Sequence, residues 1–420
     1  MAEQISRADI VLVAELVRFC VYDGGTRPES TLRIREFLHG ESLTKGHPEL
    51  AIGQSVILAT EAAGKPGDLF LMYGLVPSSA SVVSLNTFAT EDHSGQTEGG
   101  TSRSEITRAM WQPTEHSDAG IQKSSMLVPE LISWNETLAI SEDMCQYLRQ
   151  LPAQSEPQAK RLEFFLSCLE DPDPLIAIDA WAEFGNSSYE DVVAVRHQMS
   201  QQKLRDWIAD EDMSPERLGL YGMMLGLSGS VDDADFLLSQ MMCTDSGARD
   251  DRRRASDFRF GSEGLMGGYL LLTGERGLQQ LETTVVRSGN ASDSVLNAFV
   301  LSLQFIWTYE SDIISKERIE VSMQDLLHNP TMREIAIINL CRWEHWESLP
   351  TLTAMFSKEC ADDRSTQRAI LQFAQSCQRS LSARSAANDF ASQAEEFLCE
   401  VHAARPDLLS SNTRDFHAPQ

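Results

Sequence analysis

Three groups of residues have the types and spacing to do chemistry. In Arg342-Trp343-Glu344-His345-Trp346 two large flat rings stand three positions apart beside an imidazole. Such a set suits a partner-binding surface, because Trp dominates binding hot spots and His titrates near neutrality. Helical spacing sends Trp343 and Trp346 to neighbouring positions and His345 elsewhere, which equally describes packed core rings with one exposed histidine. Arg252, Arg253 and Arg254, with Arg249 and Arg259 nearby, form the basic cluster of an acidic chain. Guanidinium forks pair with carboxylates and phosphates, so this run would hold an acidic peptide or phosphorylated partner. Asp250, Asp251 and Asp257 lie among these arginines and would equally offset them in a solvated loop.

The third group is glycine. Gly219, Gly222 and Gly226 share one helical face, and Gly264 and Gly268 repeat the four-residue step. A helical Gly costs about 1 kcal/mol relative to Ala, so something must compensate, and close approach of two helix backbones does so. A phosphate cradle would place the glycines in a loop before the helix with a Lys after it, and neither condition is met. H-E-x-x-H, G-x-S-x-G, a Walker loop and paired Cys or His at metal spacing are all missing from the sequence. The acid-neighboured histidines, Asp92-His93 and Glu115-His116, fall in a Ser/Gly-rich stretch that does not hold a group to catalytic tolerance. The expectation is therefore no enzyme activity, no metal and no cofactor.

Charge narrows the partners. Lys plus Arg number 35 against 62 Asp plus Glu, a net −27 over 420 residues, most of it after residue 75. A surface this negative repels phosphate backbones and anionic lipid, which argues against nucleic acid and leaves an unknown protein or peptide as the partner class. The eight cysteines are scattered with no C-x-x-C pair and read as small buried hydrophobes of a reducing compartment. The expected location is the cytoplasm, with an exported form whose signal has been removed as the alternative. The longest apolar run, Leu218–Leu227, falls well short of the ~18 residues a membrane span needs, so no membrane insertion is expected.

The elements that must position these groups change character along the chain. Ala8–Val17, Thr31–Leu38, Ser55–Thr60 and Leu69–Tyr73 are short β-branched or alternating runs separated by Gly and Pro turns, as in an antiparallel sheet. Ala80–Phe88 would add a fifth strand, and Glu130–Trp134 would return to the same sheet. Residues 89–129 are rich in Ser, Thr, Gly and acids and read as an insertion or linker. From Ser141 the apolar period becomes helical. Leu162, Phe165, Leu166 and Leu169 make one stripe, leaving Arg161 for water. Pro174–Phe184 is apolar almost all round, with Asp179 and Glu183 as a narrow polar stripe. Pro174, Pro215 and Pro330 read as first-turn prolines, where the missing N–H costs nothing.

Two resemblances follow from these residues. Ser6 to Val13, Leu32-Arg33-Ile34 and Gly67 to Tyr73 resemble the opening of netrin-like (TIMP-like) OB-type barrels, which implies a small closed β-barrel. Ala14 and the missing paired cysteines depart from that pattern and count against protease inhibition. Asp173-Pro174-Leu175-Ile176, Ser214-Pro215-Glu216-Arg217 and Asn329-Pro330-Thr331-Met332-Arg333 resemble the turn into the second helix of HEAT-type repeats. Arg217, Arg333 and Arg368 stand where that family often keeps a basic residue. The layout as a whole is similar to bacterial proteins for which the likeness implies no activity.

The expected fold is α+β by segregated domains. A small antiparallel β-barrel spans 1–136, a degenerate α-solenoid of helical hairpins spans 137–402, and 403–420 is a frayed tail. The function it implies is protein–protein interaction or scaffolding through an acidic helical surface, with Arg252, Arg253, Arg254, Trp343, His345 and Trp346 as candidate contacts. Two other readings stay open: an enzyme or regulatory subunit with its site between barrel and helices, and a barrel whose Phe19, Tyr22, Phe37, Phe70 and Tyr73 bind an oligosaccharide or other small ligand.

Overall fold

Alternation of apolar residues turns the N-terminal region into strands with two buried faces. The structure, a computed structural model, describes residue 5 and residues 7–20, 29–44, 48–58, 62–75, 132–134, 137–242, 261–289, 291–360, 363–383 and 389–405. It divides into two units, Met1–Asn186 and Ser187–Gln420, so the expected boundary at 136/137 falls inside the first.

In the first unit β1 (Ile10–Cys20) pairs antiparallel with β2 (Glu29–His39) on one side and β4 (Leu69–Leu75) on the other. β3 (Ser55–Leu58) extends the sheet beyond β2. The short β5 (Ser133–Trp134) and β6 (Leu138–Ile140) both lie along β4. Ile10, Leu12, Ala14, Leu16, Leu32, Ile34, Phe70 and Met72 bury one face. Val11 and Val13, and their partners Tyr73 and Leu71, are buried on the other. The expected return of Glu130–Trp134 to the sheet is seen in β5, and β6 was not foreseen.

The sheet is open, which corrects the expected barrel. Among the described residues β3 and the β5/β6 edge do not pair. Closure requires long tilted strands whose register meets across the gap, and edge strands of four, two and three residues cannot supply it. Ala80–Phe88 and the 89–129 segment lie outside the described residues. Phe70 and Tyr73 are buried on opposite faces, Phe37 packs on the core, Phe19 is half-buried, and Tyr22 lies outside the described residues.

Among the described residues, three α-helices follow the sheet in this unit: α1 (Glu142–Gln150), α2 (Gln158–Leu166) and α3 (Pro174–Gly185). Ser141 caps α1 by accepting from Met144 N, and Asp173 caps α3 by accepting from Leu175 N. Arg149 reaches Glu36 of β2 with both a 3.0 Å and a 2.7 Å hydrogen bond. Arg161, expected to face water, turns inward, as do Asp179 and Glu183 of the narrow polar stripe. Asp179 is 3% exposed and accepts from Tyr147 Oη at 2.9 Å, while Arg161 donates to Glu183 at 2.9 Å in a buried ion pair. Ile178 takes the exposed position. A charge is tolerated inside only when paired, and α2 and α3 each supply half of the pair.

The second unit is helical: α4 (Tyr189–Ala194), α5 (Gln201–Ala209), α6 (Pro215–Ser228), α7 (Val231–Met242), α8 (Ser262–Leu281), α9 (Asp293–Tyr309), α10 (Lys316–Asp325), α11 (Arg333–Arg342), α12 (Leu349–Lys358), α13 (Arg364–Ala383) and α14 (Asp389–Ala404). The most extensive helix–helix packing joins elements no more than two apart in this order, while Tyr189 of α4 reaches further, against Phe305 and Tyr309 of α9, and donates to Glu310 at 2.6 Å. Pro174 and Pro215 hold first-turn positions. Pro330 does not, because α11 starts at Arg333 and Pro330 sits in a turn whose Asn329 side chain accepts from Thr331 N and Met332 N. Among the described residues no helix is long and apolar enough to cross a membrane.

The seam between α6 and α8 is built on the foreseen glycines. A Cβ on Gly222 would lie 2.7 Å from Leu265 N, and one on Gly226 would sit closer still to Gly268 Cα. The two backbones therefore touch without intervening side chains. α8 is itself broken at Gly274, whose φ of +58° lies outside the helical range. Just past its end, Glu282 is buried and accepts from Arg318 Nη2 at 2.8 Å and Ser322 Oγ at 2.6 Å, with Arg287 3.7 Å away.

Two outcomes follow. Gly226→Ala forces overpacking worth ~1–3 kcal/mol, which outweighs the ~1 kcal/mol gain in helix propensity, so its urea midpoint falls. Gly267→Ala, whose Cβ would meet only the Phe305 ring, at 3.5 Å from Cδ1 and 3.9 Å from Cε1, leaves the midpoint unchanged or raised. For Glu282, burial raises the carboxyl pKa, but the Arg318 and Ser322 hydrogen bonds and the charges of Arg318 and Arg287 outweigh it, leaving the group below its ordinary value. The stability it contributes is present above the unfolded carboxylate pKa and is lost as pH falls through the folded one. Unfolding free energy measured from pH 6 down to pH 3 therefore declines, and declines less in Glu282→Gln.

Candidate functional site

The Trp343 motif forms an elbow rather than a helical face. α11 ends at Arg342, and Glu344 adopts φ +57°, the left-handed conformation that among the described non-glycine residues occurs only here. That conformation lets His345 N reach back to Leu340 O at 3.0 Å, closing the helix end, before a 3₁₀ turn over Trp346–Ser348 leads into α12. A glycine is the usual occupant of such a position. Here a glutamate holds it and accepts from Ser380 Oγ of α13 at 3.1 Å.

The elbow separates the two tryptophans. Trp343 is half-buried and stacks on Trp307 of α9, with centroids 4.2 Å apart and planes 15° apart. Lys316 Nζ lies 5.0 Å from the Trp307 ring centroid, so a cation, Trp307 and Trp343 make one cluster from three elements. Beneath it Gln304 donates to Asn339 at 2.7 Å, tying α9 to α11. Trp346 turns inward, buried edge-to-face with Phe373, and its indole Nε1 has no hydrogen-bond partner among the described residues.

His345 lies between α10 and α12. Its Nδ1 is 2.9 Å from Ser348 Oγ, and Ser348 Oγ accepts from Gln324 Nε2 at 3.1 Å. The other ring nitrogen, Nε2, faces Glu320 at 3.7 Å and Glu347 at 3.5 Å. Burial pushes the Glu320 carboxyl up; the nearby His345 opposes this, and Glu317 and Glu347 add to the rise. A carboxylate, an imidazole and a hydroxyl in line suggest nucleophilic chemistry, but Ser348 is 1% exposed and its oxygen cannot meet a substrate. The arrangement instead fixes the imidazole and presents two carboxylates.

Of the six candidate residues, then, Trp343 and His345 share one elbow, Trp346 supports it from the core, and Arg252, Arg253 and Arg254 lie outside the described residues. Trp307, Lys316, Glu320 and Ser348 were not foreseen. Trp307 is 36 positions from Trp343 and carries no local mark of its partner. Arg333 was singled out and is buried. It donates to Leu327 O at 2.8 Å and reaches Glu359 at 3.3 Å, bracing α11 against the end of α12. Arg368 of α13 is exposed. Among the described residues no group of three His, Cys, Asp or Glu is placed to hold a metal ion.

Compared with protein-family descriptions, curated proteins and solved structures, the chain matches none. Neither the HEAT-type nor the netrin-like resemblance therefore has a matching family behind it.

If Glu344 is held by the backbone rather than by its side chain, Glu344→Gly removes left-handed strain and raises the thermal midpoint by an amount equivalent to about 0.5–1 kcal/mol. A lowered midpoint would show that the Ser380 contact holds the elbow.

Proposed function

We propose that this chain is a protein-binding module whose helical unit is a degenerate HEAT-type array, with the Trp343 elbow as its contact surface. The observation that carries the reading is the Lys316–Trp307–Trp343 cluster, which keeps half-buried aromatic area at a helix end stiffened by a left-handed residue. Rigid aromatic area at a fixed position is what a binding hot spot needs, since little entropy is lost when a partner covers it. The flanking Glu320 and Glu347, in a chain of net −27, favour a partner that brings Lys or Arg to the same place. The neighbour-to-neighbour packing of the helices and the bracing by Arg333 support the repeat assignment.

The test is affinity capture from an extract of the source organism with the full chain, its Trp343→Ala variant and a Val231→Ser control; Val231 is 75% exposed on α7. A partner held by wild type and control, and weakened at least about tenfold by Trp343→Ala, is the expected result, since loss of a hot-spot Trp costs ~2 kcal/mol or more. A partner retained equally by all three places its contact elsewhere and overturns the assignment of the elbow.

A further inference from the structure

The last helices of the second unit leave a seam unfilled. α12 and α14 both pack on α13 but scarcely on each other, whereas α6 and α8, also two apart, touch backbone to backbone. Phe356 and Phe397 meet edge to face at the floor of the gap, with centroids 5.2 Å and planes 88° apart. Above these two nearly buried rings lies a groove of about 720 Å³, with Thr353, Ala354 and Ser357 on its α12 wall and Gln393, Glu396, Glu400 and Ala404 on its α14 wall. From Gln393 to Arg405 the α14 wall runs about 18 Å at the helical rise, enough for three turns of another helix.

The rim has a charge. Glu396 and Glu400 stand one turn apart along the α14 wall, both exposed and neither engaged in a hydrogen bond or ion pair among the described residues. Arg405, at the far end, is occupied by Gln367 at 3.1 Å. The facing α12 wall offers Thr353 and Ser357, which are neutral.

From this geometry we propose that the groove docks an amphipathic helix of a partner protein, its apolar stripe on Phe356 and Phe397 and two basic side chains, one turn apart, on Glu396 and Glu400. The small residues Thr353, Ala354 and Ser357 of the α12 wall admit the helix backbone, and the carboxylate row on α14 sets its rotation and register. The inference stands on the groove and is independent of the elbow.

The experiment uses the full chain and a synthetic three- to four-turn peptide with a Leu/Ala stripe and Lys at i and i+4, read by fluorescence anisotropy at 0.15 M salt. Wild type and Trp343→Ala are expected to bind alike. Ala354→Trp, which fills the groove from an exposed position, and the double variant Glu396→Gln/Glu400→Gln are each expected to weaken binding about tenfold or more. Circular dichroism establishes that both variants stay folded. A charge-matched control, Glu163→Gln/Glu211→Gln, is expected to change binding by less than about twofold. Equal loss in that control assigns the binding to bulk charge and overturns the proposal, as does no measurable binding by wild type. Tighter binding by a chain ending at residue 405 would make the chain's own terminus the occupant. Concentration-dependent self-association abolished by Ala354→Trp would make it a second copy. Either result also overturns the proposal.

Discussion

The contact between α6 and α8 is the constraint on which the second unit depends. Where two helices normally keep 8–10 Å apart because side chains interdigitate, glycines at 219, 222 and 226 on one and at 264 and 268 on the other let the main chains meet. This geometry cannot be reached gradually, since a single methyl group inside the seam displaces a whole helix. It also fixes register, because only one sliding position aligns both glycine rows. α5, α7 and α9 then pack on a pair whose relative position is already set. Dispersion contacts over the touching surfaces and the burial of Leu218, Tyr221, Leu225, Leu265 and Leu278 offset the propensity cost of the glycines.

Buried charge plays the corresponding part elsewhere. In the first unit Arg161 and Glu183 join α2 to α3, and Asp179 takes the Tyr147 hydroxyl. In the second, Glu282 joins the end of α8 to α10 through Arg318 and Ser322, and Arg333 joins α11 to the residues after α12. Each pair links elements that are near neighbours in sequence. Such links add little net stability over an apolar core, but they penalise any alternative packing that would leave one partner buried alone.

The features legible in the sequence were those with local physics. Ser141 and Asp173 mark helix starts because a side-chain oxygen three or two residues ahead satisfies an exposed amide. The strands of the first sheet were visible as alternating runs, and the glycine rows announced a close approach because nothing else compensates for them. What was hidden depended on partners far along the chain. Whether the sheet closes is decided by edge strands that sequence alternation cannot place, and the two- and three-residue β5 and β6 are too short to carry a period. The inward turn of Asp179 and Glu183 follows from Tyr147 and Arg161 lying opposite, which helical periodicity does not reveal. The elbow was misjudged for the same kind of reason: a helical wheel puts Trp343 beside Trp346, while a left-handed Glu344 sends one outward to Trp307 and the other into the core.

The break at Gly274 divides α8 into two lengths with separate attachments. The first is clamped by its glycines to α6, and the second ends in the carboxylate held by α10. An unbroken rod of twenty residues would pass any tilt at one end directly to the other. With a glycine joint between them, the portion allied to α6 and the portion allied to α10 can each follow its own neighbours, so a strain entering at either end is absorbed locally and not relayed along the axis.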